Sequence, residues 1–158
     1  MRLTRFIAIL LIFSMSLSVI TVIRGFTPEE IHSSHFLPPN SSCTNIYRWP
    51  PRTVRIELRC SEKIIFQVYY YVNGKNHTIF RKYVERGIFT FHVQQRSLAY
   101  YVLIQNMSNK TLNVDLYITL YGFEKDLVQL SIFLNILSIT MGLIWCVTSI
   151  IRKRYSEQ

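Results

Sequence analysis

The sequence predicts a mostly β protein, a small antiparallel β-sandwich flanked by two apolar helices. Two long uncharged blocks lie near the two ends of the 158-residue chain. The roughly one hundred residues between them have the composition of a soluble domain, and that length can bury one modest core. Within this segment, runs of alternating apolar and polar residues are separated by turns at intervals of roughly 8–12 residues, as in small sandwiches.

The first apolar block, residues 6–23, follows Arg2 and Arg5 and contains no charged residue. Its length is at the lower limit for crossing a bilayer. Residues 1–24 are therefore either a cleaved signal peptide or a retained signal-anchor. We favour the signal-anchor, because the small residues Ser16 and Ser18 lie inside the apolar run instead of after it.

The second apolar block lies within residues 126–151 and is long enough to span a membrane with some tilt. The basic cluster that opens the short tail, residues 152–158, is typical of a stop-transfer signal on the cytoplasmic side. We expect a cell-membrane protein whose middle segment lies outside. Both termini are cytoplasmic if the first helix is not cleaved.

Small and polar residues recur along the second apolar block at helical spacing, and they fall on one helix face. Such a face lets another helix approach closely and form hydrogen bonds in lipid. Two interpretations are open. The face packs against the chain's own first helix, where Ser14 would lie at the depth of Ser138, or it docks onto another membrane subunit or a second copy. The predicted interface residues are Ser131, Asn135, Ser138, Gly142, Cys146 and Ser149.

The sandwich is predicted over residues 53–124, after an irregular segment over residues 25–52. Asn73-Gly74 follows an apolar run and is the strongest short hairpin signal in the chain. The short turn at residues 106–111 predicts that the last two strands are antiparallel neighbours. The final strand leads into the second helix after a few residues, so we expect a short linker with aromatic residues at the membrane interface.

Tyrosines occur in adjacent groups, at residues 69–71 and 100–101. In a strand, one member of each adjacent pair must face outward. Exposed tyrosines favour contact with a protein or a sugar, although tyrosine is also simply a good strand former. The segment around Trp49 is either a presented loop or a cap on the edge of the sandwich.

Cys43 and Cys60 are the only cysteines of the exterior segment, and we expect them to form a disulfide. Cys146 lies in the second apolar block. Four N-glycosylation sequons also fall between the apolar blocks, in predicted turns. Their acceptor residues are Asn40, Asn76, Asn106 and Asn109.

The sequence contains no catalytic motif, no phosphate-binding glycine loop and no metal-ligand spacing. His32 and His35 lack acidic partners at a suitable spacing. We therefore expect no catalytic residues, no cofactor and no metal, and we predict that the chain is not an enzyme. The formal charge of +9 is concentrated partly beside the apolar blocks and forms no dense basic stripe. This argues against nucleic-acid binding.

Two functions fit this layout. The first is a non-catalytic accessory or structural subunit of a membrane protein complex. Its two-span topology looks like that of small auxiliary subunits of channels and transporters, although no motif identifies such a family. The second is a surface recognition module that binds a glycan or a protein through exposed aromatics. An enzyme with a site assembled from scattered residues is a third, less favoured hypothesis.

The order of outer sandwich, membrane helix and basic tail is similar to that of p24-type cargo receptors. This chain lacks their coiled-coil stretch before the membrane. Its tail ends Ser156-Glu157-Gln158, without a terminal dilysine signal. The resemblance is therefore limited to the order of the segments.

Overall fold

A computed structural model describes residues 2–156 of the chain, which form two compact units. One unit consists of the two terminal helices. The other, here called the β domain, extends from Thr27 to Gly122. The elements are α1 (Arg2–Phe26), β1 (Glu29–Leu37), β2 (Ser42–Tyr47), β3 (Thr53–Val72), β4 (Lys75–His92), β5 (Tyr100–Gln105), β6 (Leu112–Tyr121) and α2 (Lys125–Ser156).

The β domain is one curled, six-stranded antiparallel sheet with the order β1-β6-β3-β5-β2, and β4 pairs with the other edge of β3. The long strand β3 pairs first with β6, over Thr53–Cys60, and then with β5, over Ile65–Tyr70. Its register with β4 shifts between Arg59 and Ile64, as at a β-bulge that bends a strand. The mostly β prediction is confirmed, but the sheet is continuous through β3 instead of forming two separately hydrogen-bonded sheets.

A single hydrophobic core lies inside the curl, and both halves of β3 contribute to it. Val54, Ile56 and Leu58 face inward from the first half, and Ile64, Phe66 and Val68 face inward from the second. Since strand residues alternate between faces, one strand that bends can line two walls of the same core. The remaining buried positions come largely from β5 and β6, whose alternation is regular.

The turn between β3 and β4 is formed by Asn73 and Gly74, which both have positive φ, at 50° and 75°. Two consecutive residues in the left-handed region are the mark of a type I′ turn, whose twist matches the flanking strands. This confirms the predicted hairpin. The turn joins the two longest strands of the sheet, β3 and β4, and β4 runs from Lys75 to His92.

Residues 25–52 differ from the irregular segment that the sequence predicts, because they contain β1 and β2. The alternation in β1 is hidden in the sequence, since its inward positions include Ser33 and His35 as well as Leu37. Polar residues at inward positions break the apolar period on which strand prediction depends. These two strands form the two ends of the strand order.

The prediction that β5 and β6 are neighbours is wrong. Both pair with β3, in different halves of the sheet. The connecting segment therefore crosses from one half to the other, and Asn106 holds it in place. Its Nδ2 lies 3.1, 2.9 and 2.7 Å from the carbonyl oxygens of Leu37, Pro38 and Lys110, and its Oδ1 accepts a hydrogen bond from the backbone N–H of Ser108.

The side chain of Arg52 is fully buried and joins the two ends of the β domain. Its Nη2 donates to the carbonyl oxygen of Thr27 at 2.9 Å, and its Nε donates to that of Gly122 at 2.8 Å. Thr27 and Gly122 are the first and last residues of the domain. Nη1 also forms an ion pair with Glu29 at 3.2 Å. A buried guanidinium is tolerated only when its donors are satisfied, and here they close the domain.

Candidate functional site

The outer surface of the β2-β5-β3 half carries a cluster of exposed or half-buried apolar and aromatic side chains. We call it the aromatic face and define it by Ile46, Tyr69, Tyr71 and Tyr101. Ile46 pairs with Tyr101, and Tyr101 pairs with Tyr69, so these three project on the same side of three adjacent strands. Tyr71 follows two residues along β3 and therefore lies on the same side. Ile46 is 62% exposed and Tyr71 is 46% exposed.

The three phenol rings of the aromatic face pack against one another. Tyr69 and Tyr101 are stacked, with ring centroids 5.1 Å apart and planes at 12°. Tyr71 meets both rings edge-on, at 5.7 and 5.4 Å. Partial burial by these neighbours, with smaller effects from the hydroxyls of Tyr71 and Tyr101, raises the pKa of Tyr69. The rings therefore form a preorganised, uncharged surface.

The other tyrosines of the two groups face inward, as strand alternation predicts. Tyr100 is fully buried, and Tyr70 packs against it with centroids 5.4 Å apart. Burial raises the pKa of Tyr100, while its hydroxyl accepts a hydrogen bond from the backbone N–H of Gln94 at 3.2 Å. Tyr100 also lies 5.5 Å from the buried Trp49. Trp49 therefore packs in the core, which decides between the two interpretations of its segment.

The outer surface of the other half of the sheet is different in character, and we call it the charged face. Arg59 forms a 2.6 Å ion pair with Glu57, and its guanidinium lies 5.2 Å from the ring centroid of Tyr117. His32 stacks on the same ring at 4.4 Å, and Asp115 accepts a hydrogen bond from Ser34. Exposed ion pairs of this kind are typical of a solvated surface.

The helix unit contains two helices that are long and apolar enough to cross a membrane. They pack antiparallel along a seam of small and polar residues. Ser14 and Ser138 lie with their hydroxyl oxygens 3.4 Å apart, and Ser18 lies 2.8 Å from Ser131. Asn135 donates to Ser18 at 2.8 Å. Small side chains permit this close approach, and the polar groups satisfy one another in an apolar setting.

The buried positions of the helix pair recur every seven residues. In α1 they are Ile7, Ser14 and Thr21. In α2 they are Ser131 and Ser138, and the buried Glu124, one residue before α2 begins, continues the same spacing. A seven-residue period keeps one seam in contact over several turns of paired helices. At one end of the pair, Arg24 and the buried Glu124 form a 2.8 Å ion pair.

The predicted interface residues of α2 thus fall into two groups. Ser131, Asn135 and Ser138 contact α1, whereas Cys146 and Ser149 are exposed. A Cβ placed on Gly142 would meet no side chain or neighbouring helix within 4 Å. The part of the stripe from Gly142 onward is therefore uncovered, and its role as an interface stays a prediction.

The predicted disulfide is absent, since Cys43 and Cys60 are free thiols in the structure. Cys43 lies 4.0 Å from His35, measured between Sγ and Nδ1. Cys60 pairs with Val114 on β6, and Val114 pairs with His35 on β1. Because adjacent strands are about 4.8 Å apart, the backbone of Cys60 lies about two strand spacings from that of His35. The intervening strand explains why the two cysteines do not meet.

The four sequons are not equivalent. Asn40, Asn76 and Asn109 are exposed, and glycosylation there stays a prediction. Asn106 is 0% exposed, and its two amide hydrogens are shared among three carbonyl oxygens. A glycan bonded to that nitrogen would require this loop to open. The folded structure is therefore incompatible with the prediction that Asn106 carries a glycan.

Among residues 2–156, no group of three or more His, Cys, Asp or Glu side chains is placed to hold a metal ion. Sequence reasoning missed the side-chain contacts of Arg52, His35 and Asn45. Arg52 follows two prolines in a segment predicted to be irregular, and no residue pattern around it indicates that its side chain is buried. His35 and Asn45 belong to the strands that were not predicted.

No family model and no curated protein matches the chain. Among solved structures, the β domain is similar to the mitogen derived from Yersinia pseudotuberculosis, with a TM-score of 0.52, 15% identity, and coverage of 63% of this chain and 92% of that one. A second similar structure is PliG of Aeromonas hydrophila, a periplasmic inhibitor of g-type lysozyme, with a TM-score of 0.41, 12% identity, and coverage of 61% and 88%. The first likeness supports the β fold alone.

Proposed function

We propose that this chain is a non-catalytic accessory protein of a membrane protein complex. The helix pair anchors it, and the aromatic face of the β domain binds a partner subunit. The observation that carries the proposal is the aromatic face, where Ile46 and Tyr71 are exposed and the half-buried rings of Tyr69 and Tyr101 pack against Tyr71. Scattered exposed apolar residues are ordinary, but a contiguous cluster marks an interaction surface.

The arrangement of the rings suits binding. Tyrosine is enriched among the residues that contribute most to protein interfaces, because it offers a large contact area and a hydrogen-bonding hydroxyl. Tyr69, Tyr71 and Tyr101 already restrict one another's rotamers by packing. A partner would therefore lose little side-chain entropy on binding them.

The proposed location is the cell membrane, with the β domain outside and both termini cytoplasmic. The length and hydropathy of the two helices support membrane association. The basic residues after the second helix support the orientation, because such clusters remain on the cytoplasmic side. Retention of α1 is supported by its seam with α2, since cleavage would expose Ser131, Asn135 and Ser138 to lipid.

This pairing changes where the partner is expected to bind. Because α1 covers part of the polar stripe of α2, only the portion from Gly142 onward is available to a helix of another protein. The β domain, in contrast, has an exposed aromatic cluster on its outer surface. We therefore assign the principal contact to the aromatic face instead of the membrane helix.

Purification of the full-length chain in mild detergent tests the proposal. We expect a stoichiometric partner that is lost when Tyr71 and Tyr101 are replaced by serine. Tyr117→Ser on the charged face is the matched control and should retain the partner. A chain that purifies alone, or a partner that is retained equally by all variants, would overturn the assignment.

Glycan recognition by the same tyrosines is the second candidate. It is supported by the 46% exposure of Tyr71, whose ring is available for a sugar to stack against. In that case the purified chain alone should bind a defined oligosaccharide from a panel, and Tyr71→Ser should abolish binding. Absence of oligosaccharide binding together with a stoichiometric protein partner would exclude this candidate in favour of the first.

A further inference from the structure

A cysteine, a histidine and an asparagine meet where the two terminal strands of the sheet approach each other. Cys43 and Asn45 lie on β2, and His35 lies on β1. His35 Nδ1 is 4.0 Å from Cys43 Sγ, and His35 Nε2 is 2.9 Å from Asn45 Nδ2. The third side of the triangle joins Cys43 Sγ to Asn45 Oδ1 at 3.8 Å. All three residues are half-buried, and Cys43 packs against the edge of the hydrophobic core.

These three groups can hold both charge states of a thiol and an imidazole. In the neutral state, Asn45 Nδ2 donates to His35 Nε2, and the thiol of Cys43 donates to Asn45 Oδ1. In that tautomer Nδ1 carries the ring proton and cannot take another, so proton uptake from Sγ requires the tautomer with the proton on Nε2. Rotation of the Asn45 amide by half a turn stabilises this tautomer. Its Oδ1 then accepts from Nε2–H, Nδ1 can take the thiol proton, and Asn45 Nδ2 donates to the thiolate that forms. One side chain thus stabilises the ion pair without moving the strands.

The inward-facing residues around Cys43 and His35 are uncharged. On β1, the inward neighbours of His35 are Ser33 and Leu37. On the paired strands, His35 lies beside Val114 of β6, and Cys43 lies beside Ile104 of β5. These inward neighbours are uncharged. Among these inward neighbours, no charged side chain competes with His35 for the proton of Cys43.

We propose that Cys43 is a reactive thiol that exchanges with small disulfide compounds, with His35 as its proton acceptor. His35 takes the proton from Sγ, and the thiolate attacks one sulfur of the disulfide. The reagent's sulfur–sulfur bond breaks as the bond to Cys43 forms. The departing thiolate carries the electron pair and takes the proton from His35. Cys43 is thereby oxidised to a mixed disulfide, and the other half of the reagent is reduced to a thiol.

The other two cysteines provide an internal comparison. Cys60 is 4% exposed within the core, and Cys146 lies on the apolar helix α2. Neither thiol has a hydrogen-bond or ring contact with histidine among those observed in residues 2–156. Reaction confined to Cys43 at neutral pH would thus separate activation by His35 from the general reactivity of a thiol.

The test uses the full-length chain in mild detergent, with dithiobis(nitrobenzoate) as the disulfide. The rate of thiolate release is measured between about pH 6 and pH 9, a range that brackets the ordinary titration of imidazole and thiol. Peptide mass mapping locates the adduct. At about pH 7 we expect the adduct on Cys43, formed about tenfold faster than in His35→Gln, because an ordinary thiol is only a few per cent ionised there. The difference should disappear at about pH 9, where an ordinary thiol ionises unaided.

His35→Gln is chosen because glutamine can keep a hydrogen bond to Asn45 but cannot take up the proton. If the cluster is only a structural link between β1 and β2, this variant reacts like the wild type, and the proposal fails. If the variant does not fold, the pH dependence of the wild-type reaction rate tests the proposal instead. A rate that falls about tenfold per pH unit below about pH 8 is that of an ordinary thiol and overturns the proposal. A rate that flattens below that pH supports it, and an adduct found only on Cys60 or Cys146 contradicts it.

Discussion

The buried guanidinium of Arg52 donates a 2.8 Å hydrogen bond to the carbonyl oxygen of Gly122, the last residue of the β domain. The same side chain donates to Thr27, the first residue of the domain. Arg52 itself lies just before the long strand β3. One side chain therefore fastens the start of the domain, its end and its central strand together.

Replacement of Arg52 by glutamine should destabilise the β domain by about 3 kcal/mol, because the carbonyl oxygens of Thr27 and Gly122 lose their buried donor and the ion pair with Glu29 is lost. Urea unfolding of the detergent-solubilised chain measures the change. Arg55→Gln removes an exposed arginine nearby and should change the free energy of unfolding by less than about 0.5 kcal/mol. Equal effects of the two variants would show that Arg52 has no special role.

The antiparallel pairing of α1 and α2 predicts a specific cross-link. In a Cys146→Ala background, cysteines placed at Ser14 and Ser138 should form an intrachain disulfide on mild oxidation, because the two hydroxyl oxygens are 3.4 Å apart. Ser16 is exposed and faces away from the seam, so the Ser16→Cys and Ser138→Cys pair should remain reduced. Gel mobility without reductant reports the outcome. Cross-linking of the second pair but not the first would refute the observed register.

Asn106 and Asn109 belong to adjacent sequons but should respond differently to alanine. Asn106→Ala should cost about 2 kcal/mol or more, because carbonyl oxygens that it bridges lose their partner. Asn109 is exposed, and Asn109→Ala should be nearly neutral. Thermal unfolding of the two variants checks this. Glycosylation mapping of the native chain should also find Asn106 unmodified, and a glycan at that residue would contradict the structure.

The raised pKa values of Tyr69 and Tyr100 predict a late phase in alkaline titration. Burial disfavours the phenolate in the folded chain, so the unfolded chain releases these protons first. Their contribution to stability is therefore complete below the ordinary tyrosine pKa of about 10 and is lost as the pH rises above it. Ultraviolet absorbance of tyrosinate should show the late phase, and Tyr69→Phe should reduce it. Titration of all tyrosines in one ordinary step would contradict the packing of these rings.

The sequence was sufficient for the β class, the two apolar helices and the hairpin at Asn73 and Gly74, because each depends on local periodicity or local turn chemistry. It was insufficient for the order of the strands, which depends on pairing between residues far apart in the sequence. β5 and β6 are consecutive strands, yet they pair with different halves of β3 instead of with each other. The strand β1 was missed because Ser33 and His35 occupy inward positions that an apolar period would fill.

In the candidate site too, features set by local strand alternation were predictable, whereas features set by strand pairing were not. Strand alternation predicted that one tyrosine of each adjacent pair faces outward, and the structure shows that these are Tyr71 and Tyr101, with Tyr70 and Tyr100 facing inward. That the outward rings contact one another depends on the register between β3 and β5, which no local pattern specifies. The predicted disulfide between Cys43 and Cys60 was wrong for a similar reason. Cys43 lies beside His35 on β1, and the strand β6 separates His35 from Cys60 on β3. The spacing of the two cysteines along the chain does not show this separation.

Site-specific photo-crosslinking in intact cells is the most direct test of the account, because it asks which face of the β domain meets a partner. A photoreactive phenylalanine analogue placed at Tyr71 should yield one defined cross-linked product of constant mass. The same analogue at Tyr117, on the charged face, should yield none. A product from Tyr117 alone, or no product from Tyr71 in a cell where the chain is stably expressed, would contradict the assignment of the aromatic face as the binding surface.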